Sequence, residues 1–206
     1  MSFRIEQKLK IAKGKIFQLK SWISKNKGIQ LHPGRIINSI YFDNESYSMY
    51  NHSLEGTLPR KKIRLRIYGK DFTYDKNINK EIKISSVEGR YKITELAENP
   101  LKLIDLGIYD NNYGLCHPVL NVLYERSYYK IQDVRITVDE RIIYKKVTNR
   151  KISKIYTSDD FDIVELKSNF PKSINQVNNN FPFEKVRFSK YCRGIEFTRL
   201  NYCNEL

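Results

Sequence analysis

Apolar and charged residues alternate with a period of two along one segment after another of this chain, which restricts it to a fold built largely from β-strands. In the segment Arg60–Tyr68, the side chains of Lys62, Arg64 and Arg66 fall on one face, and those of Ile63, Leu65 and Ile67 on the other. The same alternation sets Glu6 and Lys8 against Ile5 and Leu9, and Glu81 and Lys83 against Ile82 and Ile84. It also sets Arg135 and Asp139 against Val134, Ile136 and Val138, and Glu165 and Lys167 against Val164 and Leu166. An ordinary half-buried strand sends such charges to solvent. Long Lys and Arg side chains on one concave sheet can instead converge on a single strongly anionic ligand. The recurrence of Glu-x-Lys, Arg-x-Arg and Arg-x-Thr-x-Asp strands within one short chain favours the second arrangement.

Composition narrows the partner. The 206 residues suffice for one domain, 1–206, with a substantial core. Lys and Arg number 37 against 23 Asp and Glu, and the resulting charge of +14 suits phosphate chains, nucleotides, nucleic acid or an anionic membrane surface. Cys116, Cys192 and Cys203 form no CxxC pair, and only His32, His52 and His117 could join them, so neither a disulfide framework nor a structural zinc is indicated. Gly69, Gly89 and Gly114 make no GxGxxG or Walker-type loop, and Ser, His and Asp follow no nucleophile motif. Residues 1–6 lack the apolar core of a signal peptide, and no run approaches the roughly 18 apolar residues of a membrane span, so a soluble cytoplasmic chain is predicted.

Strands are predicted at 3–10, 36–43, 60–68, 79–85, 119–129, 133–144 and 161–167. Residues 13–24, with Ile16, Leu19, Lys20 and Ile23 in helical spacing, read as an amphipathic helix that ends before Asn26-Lys27-Gly28. His32-Pro33-Gly34 reads as a turn, 45–52 as a short helix or turn packing Tyr47 and Tyr50, and 93–106 as partly helical and broken at Pro100. In 186–202, the residues from Ser189 to Cys192 could open a helix or close a strand. Many β-branched and aromatic strands with few helices imply an antiparallel, barrel-like α+β fold.

If the charged faces turn inward, Lys8, Lys62, Arg64, Arg66, Lys83, Arg126, Arg135, Lys167 and Lys190 surround a cavity, offset in part by Glu6, Glu81 and Glu165. Two like charges about 4 Å apart cost roughly 4 kcal/mol at an effective dielectric of about 20, a repulsion that a bound polyphosphate relieves. Arg forks suit bidentate phosphoryl contact, Lys supplies movable charge, and a spare carboxylate can hold a divalent cation. Glu165, in Asp162-x-x-Glu165-x-Lys167, is the first choice for that ligand and Glu6 the second. Tyr41 and Tyr124 could hydrogen-bond phosphate or ribose, with core packing the favoured role for each, and the three histidines read as turn or loop residues.

The order of these motifs resembles the VTC domain, the polyphosphate polymerase branch of the CYTH or triphosphate tunnel metalloenzyme superfamily. The resemblance runs through Arg4-x-Glu6-x-Lys8, Ser39-Ile40-Tyr41-Phe42-Asp43 with Tyr50, Lys62-Ile63-Arg64-Leu65-Arg66-Ile67-Tyr68-Gly69 and Glu81-Ile82-Lys83. It continues through Tyr124-Glu125-Arg126-x-x-Tyr129, Val134-Arg135-Ile136-Thr137-Val138-Asp139, Val164-Glu165-Leu166-Lys167 and Phe188-Ser189-Lys190-Tyr191-Cys192. It implies an eight-stranded antiparallel tunnel with flanking helices and a basic lining that holds a nucleotide triphosphate or polyphosphate, with Mn2+ or Mg2+ on an inward glutamate. By motif matching, Lys8, Arg64, Arg66, Lys83, Arg126, Arg135 and Lys190 are phosphate ligands and Glu165 the metal ligand, with Lys167, Ser189 and Tyr124 as weaker matches.

The implied activity is transfer of the terminal phosphate of ATP to a growing polyphosphate chain. An inorganic triphosphatase of the same fold and a non-catalytic polyphosphate- or nucleotide-binding module are the alternatives. Nucleic acid, suggested by net charge alone, is not the expected partner. The motifs include neither the SPX domain nor the membrane helices of the fungal architecture. Coupling of synthesis to translocation would then require a separate membrane protein, with the chain peripheral at the membrane.

Overall fold

Alternation of apolar and charged residues is realised in strands throughout the computed structural model, which describes residues 5–70, 77–179 and 183–200. The chain runs through β1 (Ile5–Ala12), a 3-10 turn (Lys13–Lys15), α1 (Ile16–Lys25), β2 (Ile29–Asp43), α2 (Ser48–Glu55) and β3 (Arg60–Tyr68). Next come β4 (Asn79–Ser86), β5 (Gly89–Leu96), α3 (Pro100–Leu106), β6 (Ile108–Asp110), β7 (Gly114–Ile131) and β8 (Val134–Thr148). The last elements are β9 (Lys151–Ile152), β10 (Thr157–Ser158), β11 (Phe161–Ser168), α4 (Pro171–Asn179), β12 (Glu184–Lys185) and α5 (Lys190–Leu200). Eight of these strands are long, 8 to 18 residues, while β6, β9, β10 and β12 have only 2 or 3. The hydrogen-bonded order is β12-β1-β11-β8-β7-β2-β3-β4-β5, with β6 on β7 and β9 and β10 on β8. No helix among the described residues is long and apolar enough to cross a membrane, a fact that leaves β-barrels untouched.

Two compact units divide the chain. The first comprises Met1–Ile36, Tyr124–Ile142 and Ser158–Phe188, and the second Ile37–Leu123, Ile143–Thr157 and Ser189–Leu206. In the first unit, β11 pairs antiparallel with β1 and with β8. Leu9 and Ile11 of β1, Val164 and Leu166 of β11, and Ile136 and Val138 of β8 form its core with Leu19 and Ile23 of α1 and Ile174 and Val177 of α4. The helices cover this apolar face, so the period of two commits Glu6, Lys8, Glu165, Lys167, Arg135, Thr137 and Asp139 to the other face. After α1 the backbone turns through a left-handed Lys27 (φ 56°) into Gly28, where any Cβ would lie 2.4 Å from the Ile23 side chain.

In the second unit, β2, β3, β4 and β5 pair antiparallel in that order. Ile63, Leu65 and Ile67 of β3 are fully buried, as are Ile37 and Phe42 of β2. Helix α5 joins this core through Tyr191 and Ile195. Gly194 lets it approach closely, since an added Cβ would lie 2.6 Å from Leu120 and 2.7 Å from Tyr144.

Several expectations need correction. His32-Pro33-Gly34 is no turn but part of β2, because proline fixes a φ compatible with extended chain, biases its predecessor the same way, and here sits on an exposed stretch. The histidines lie on regular elements: His32 in β2, its ring 3.9 Å from that of Tyr128, His52 in α2, and His117 in β7. Pro100 starts α3 rather than breaking a helix, with the Asn99 side chain accepting from the Lys102 amide, and residues 93–96 belong to β5. The ambiguous C-terminal segment is helical at 190–200, and its last two predicted residues, 201 and 202, lie outside the described residues. Phe3 and Arg4 of the first predicted strand also lie outside them. The sequence reading did not anticipate α4 and β5 as whole elements.

Candidate functional site

On the second unit, strand register stacks basic side chains into rungs. Arg64 of β3 stands opposite Glu81 of β4, which stands opposite Thr94 of β5. The neighbouring rung is Lys62, Lys83 and Lys92, and beyond it lie Arg60, Ser85 and Arg90. With Arg66, this face of three strands carries seven cations against one carboxylate, Glu81. Like charges directly across a sheet repel, so a face of this composition is one that a bound anion would stabilise.

Glu81 organises that charge. Its Oε2 accepts from Arg64 Nε at 2.7 Å and NH2 at 2.5 Å and lies 3.5 Å from Arg66 NH1, while its Oε1 accepts from Lys92 Nζ at 2.6 Å. The remaining terminal nitrogen of Arg64 donates to the Tyr41 hydroxyl at 2.7 Å. Tyr41 stacks on Tyr191 at 5.2 Å, whose hydroxyl donates to the Asp43 carboxylate. Asp43 also accepts the amides of Asn44 at 2.9 Å and of Met49 and Tyr50 at 3.0 Å each. It thereby supplies the N-terminal cap that left-handed Tyr47 cannot give α2. A packed column thus holds the Arg64 fork from behind. Tyr41, buried as core packing requires, is also a polar partner of the site, and burial raises its pKa less than Arg64, Arg66 and Lys190 lower it.

Lys62 Nζ donates to Ser189 Oγ at 2.8 Å, and Ser189 in turn caps α5 by accepting the Cys192 amide at 3.3 Å. Lys190, the first residue of α5, is half-buried and Lys83 is exposed, while Arg64 and Arg66 are buried. The unit therefore brings Lys62, Arg64, Arg66 and Lys83 onto one sheet face and sets Ser189 against Lys62.

Burial pushes the Glu81 carboxyl up, but Arg64, Arg66 and Lys92 outweigh it and hold it down to about 2. A carboxyl depressed in the folded state gives stability that is fully present above its ordinary range near 4.5 and is lost as pH falls toward 2. At about 1.4 kcal/mol per unit, Glu81 accounts for about 3 kcal/mol. Urea unfolding followed from pH 6 down to pH 2.5 is expected to show a steep loss of stability that Glu81→Gln flattens. Equal slopes for the two proteins would refute the assignment.

On the first unit the polar face runs across β1, β11 and β8. Lys8, Glu165 and Thr137 form one rung, and Glu6, Lys167 and Arg135 the next. Glu165 is buried and ion-paired with Lys167, while Glu6 lies 3.6 Å from both Lys8 and Lys167. Burial raises the Glu165 carboxyl, but Lys167, Lys8 and Arg126 reverse the shift and bring it to about 2. Lys8 Nζ is further tied to the Phe188 carbonyl at 2.7 Å. Arg126 forks onto Asp139, Nε to Oδ1 at 2.5 Å and NH2 to Oδ2 at 2.6 Å, and its guanidinium lies 5.3 Å from the ring of buried Tyr124. Burial would lower the Arg126 pKa, but Asp139, Tyr124 and Glu165 raise it, so the cation persists. All seven residues predicted for this unit, Glu6, Lys8, Tyr124, Arg126, Arg135, Glu165 and Lys167, lie in or beside these rungs.

Three buried polar atoms of these rungs have no hydrogen-bond partner: Thr137 Oγ1 opposite Glu165, Arg135 Nε opposite Lys167, and Oε1 of Glu165 itself, which Lys167 meets as an ion pair. Unsatisfied buried polar atoms are costly. No group of three His, Cys, Asp or Glu side chains gathers among the described residues. The donor set of Glu165 and Glu6 fits a hard divalent ion that takes one or two carboxylates and completes its shell from substrate phosphate and water. It does not fit zinc.

The sequence reading missed Asp139 as the partner of Arg126, Lys92 as the third cation on Glu81, and Thr137 as the neighbour of Glu165. Asp139 and Thr137 were recoverable from the Arg135-x-Thr137-x-Asp139 alternation. Lys92 was not, because 89–92 carries no strand signal of its own and the rest of its strand, 93–96, falls within the stretch that reads as partly helical.

The sequence profile of the VTC domain matches residues 3–112 and 102–199. No curated protein matches the chain. Among solved structures, the chain is similar to a Hippeastrum protein described as an adenylyl cyclase with a dominant triphosphatase activity, at TM-score 0.57 and 13% identity over 94% of this chain and 96% of that one. It is also similar to a Vibrio parahaemolyticus protein described as an adenylate cyclase, at TM-score 0.52 and 10% identity over 91% and 95% of the two chains. A chain of the Schizosaccharomyces pombe Mediator head module matches at TM-score 0.51 and 10% identity over 84% and 86%. At such identities the likeness carries the fold alone. That fold is the antiparallel triphosphate-tunnel type with flanking helices.

Proposed function

The chain belongs to the VTC-domain family, and from that premise we propose that it is a metal-dependent polyphosphate polymerase that transfers the γ-phosphoryl group of ATP to a growing polyphosphate chain. The observation that carries the reading is the β3-β4-β5 face, where seven cations share one carboxylate. A single phosphate needs two or three such partners, whereas a linear polyanion can use them all.

In this reading Arg64 and Arg66, fixed by Glu81, Tyr41 and Ser39, present rigid forks to phosphoryl oxygens. Lys62, Lys83 and Lys190 supply adaptable charge, and Ser189 orients Lys62. On the first unit Lys8, Arg126 and Arg135 bind phosphate, Tyr124 supports Arg126, and Lys167 balances Glu165. Glu165, with Glu6, would hold Mg2+ or Mn2+. When bound, that ion would supply positive charge that offsets the charge of the phosphate substrate.

A terminal oxygen of polyphosphate attacks the γ-phosphorus. The bond from that phosphorus to the β–γ bridging oxygen breaks, and the electron pair leaves with ADP. Catalysis is positioning and charge stabilisation, so no protein nucleophile takes part. A soluble protein working at the membrane surface would leave translocation of the product to a separate membrane protein.

Incubation with ATP, Mn2+ and a short phosphate primer is expected to release ADP and lengthen the primer. Release of phosphate and pyrophosphate from triphosphate without ADP from ATP would make the chain a triphosphatase, the activity described for the Hippeastrum protein. Tight binding of either anion without turnover would leave a binding module.

A further inference from the structure

The segment from β8 to β10 does something that neither the phosphate-binding faces nor the core requires. Residues 143–157 contain Lys145, Lys146, Arg150, Lys151 and Lys154 and no Asp or Glu, with buried Asp159 and exposed Asp160 only beyond them. Within this basic stretch three large apolar side chains face solvent: Ile152 is 37% exposed, Ile155 79% and Tyr156 60%. Arg150, Lys151 and Lys154 are exposed beside them.

The projection is a built structure. Asn149 (φ 50°) and Arg150 (φ 65°) make a left-handed two-residue turn of the kind that closes hairpins, β9 pairs with β8 through Val147–Ile152 and Thr148–Lys151, and the Ser153 amide donates to the Lys146 carbonyl at 2.8 Å. The Ile155 amide is held by Ser153 Oγ at 3.1 Å. An ordered tip that offers Ile and Tyr to water gains nothing within the chain.

We propose that this tip docks the protein on an anionic phospholipid surface. Ile155 and Tyr156 would enter the headgroup boundary, and Arg150, Lys151 and Lys154 would meet lipid phosphates and carboxylates. Tyrosine suits the interface because its ring prefers the apolar side and its hydroxyl the wet one. Three apolar side chains are far too few for a stable protein interface, which takes roughly 20–30 residues a side. A nucleic acid would use the cations and leave Ile155 in water. A shallow lipid contact uses both features, since each basic residue near an anionic leaflet adds attraction and the apolar tip adds insertion.

Co-sedimentation with phosphatidylcholine vesicles, with and without phosphatidylserine, tests this independently of catalysis. The wild-type protein is expected to bind only the phosphatidylserine vesicles, and less as salt rises. Ile155→Ser/Tyr156→Ser and Lys151→Glu/Lys154→Glu are each expected to weaken binding at least about tenfold. Their thermal midpoints should stay unchanged, because the altered side chains are exposed. Lys13→Glu/Lys15→Glu carries the same charge change elsewhere and should weaken it far less. The proposal fails if the wild type ignores phosphatidylserine, if Ile155→Ser/Tyr156→Ser binds as well as wild type, or if the Lys13/Lys15 control loses as much. It also fails if the loop charge variant loses duplex DNA while vesicle binding persists. Should the serine variant misfold, the glutamate pair decides alone.

Discussion

Replacing Arg64 with alanine is expected to cut turnover of ATP or triphosphate by about a hundredfold or more, the usual scale for losing a preorganised group on a transferring phosphoryl. Arg64 is buried, and its guanidinium is fixed on three sides by two contacts to Glu81 and one to Tyr41. The guanidinium is therefore held in place without any reorganisation of the side chain. Arg64→Lys keeps the charge but not the fork, so it should recover only part of the activity.

The same substitution also disturbs stability, and the two effects can be separated. Removing one partner of a buried ion pair costs about 3–5 kcal/mol. Lys92 and Arg66 remain beside Glu81, so the lower end is expected. Arg64→Ala/Glu81→Gln removes both partners of that pair but takes the carboxylate from buried Arg66 and from Lys92 as well. The double variant should therefore lose less stability than the sum of the two single losses without regaining the wild-type midpoint, while activity does not return. If a folded Arg64→Ala retains turnover within about threefold of wild type, its phosphate role is wrong. If the double substitution restores activity, Arg64 serves only to neutralise Glu81.

What could be read in advance was the face each charge occupies, because a strand's period of two is a local property. Strand β3 spans the predicted 60–68 for that reason, and the strand faces on which Lys62, Arg64, Lys83, Lys8 and Glu165 lie follow from it. Partners were less legible, because they depend on register, which is set by residues far apart in sequence. Nothing near Arg64 indicates that Glu81 will neutralise it, nor anything near Arg126 that Asp139 will. Strand β5 shows a second difficulty. Ile93, Leu96 and Ala97 precede Leu101 and Ile104 at spacings close to a helical period, and only pairing with β4 makes 89–96 a strand. In His32-Pro33-Gly34 the turn composition was genuine, but both proline and its predecessor also suit the extended chain of β2.

Glu165→Gln should separate binding from turnover, because Glu165 differs from every other candidate in its sign. It is a buried carboxylate among Lys167, Lys8 and Arg126, ionised at any working pH since its carboxyl lies at about 2. Glutamine has nearly the same shape and removes one negative charge from the face that carries Lys8, Lys167, Arg126 and Arg135. Triphosphate binding in metal-free buffer is therefore expected to be as tight as in wild type or tighter, as read by titration calorimetry. Turnover with Mn2+ or Mg2+ should fall by about a hundredfold or more, because the donor best suited to a hard cation is gone. An arginine or lysine variant of the same face cannot give this pattern, since losing a cation weakens anion binding with or without metal. Glu6→Gln should give the same pattern in weaker form, Glu6 being less buried and 3.6 Å from both lysines. If Glu165→Gln weakens metal-free binding and turnover equally, Glu165 acts by positioning Lys167 and Lys8 rather than by holding a metal ion.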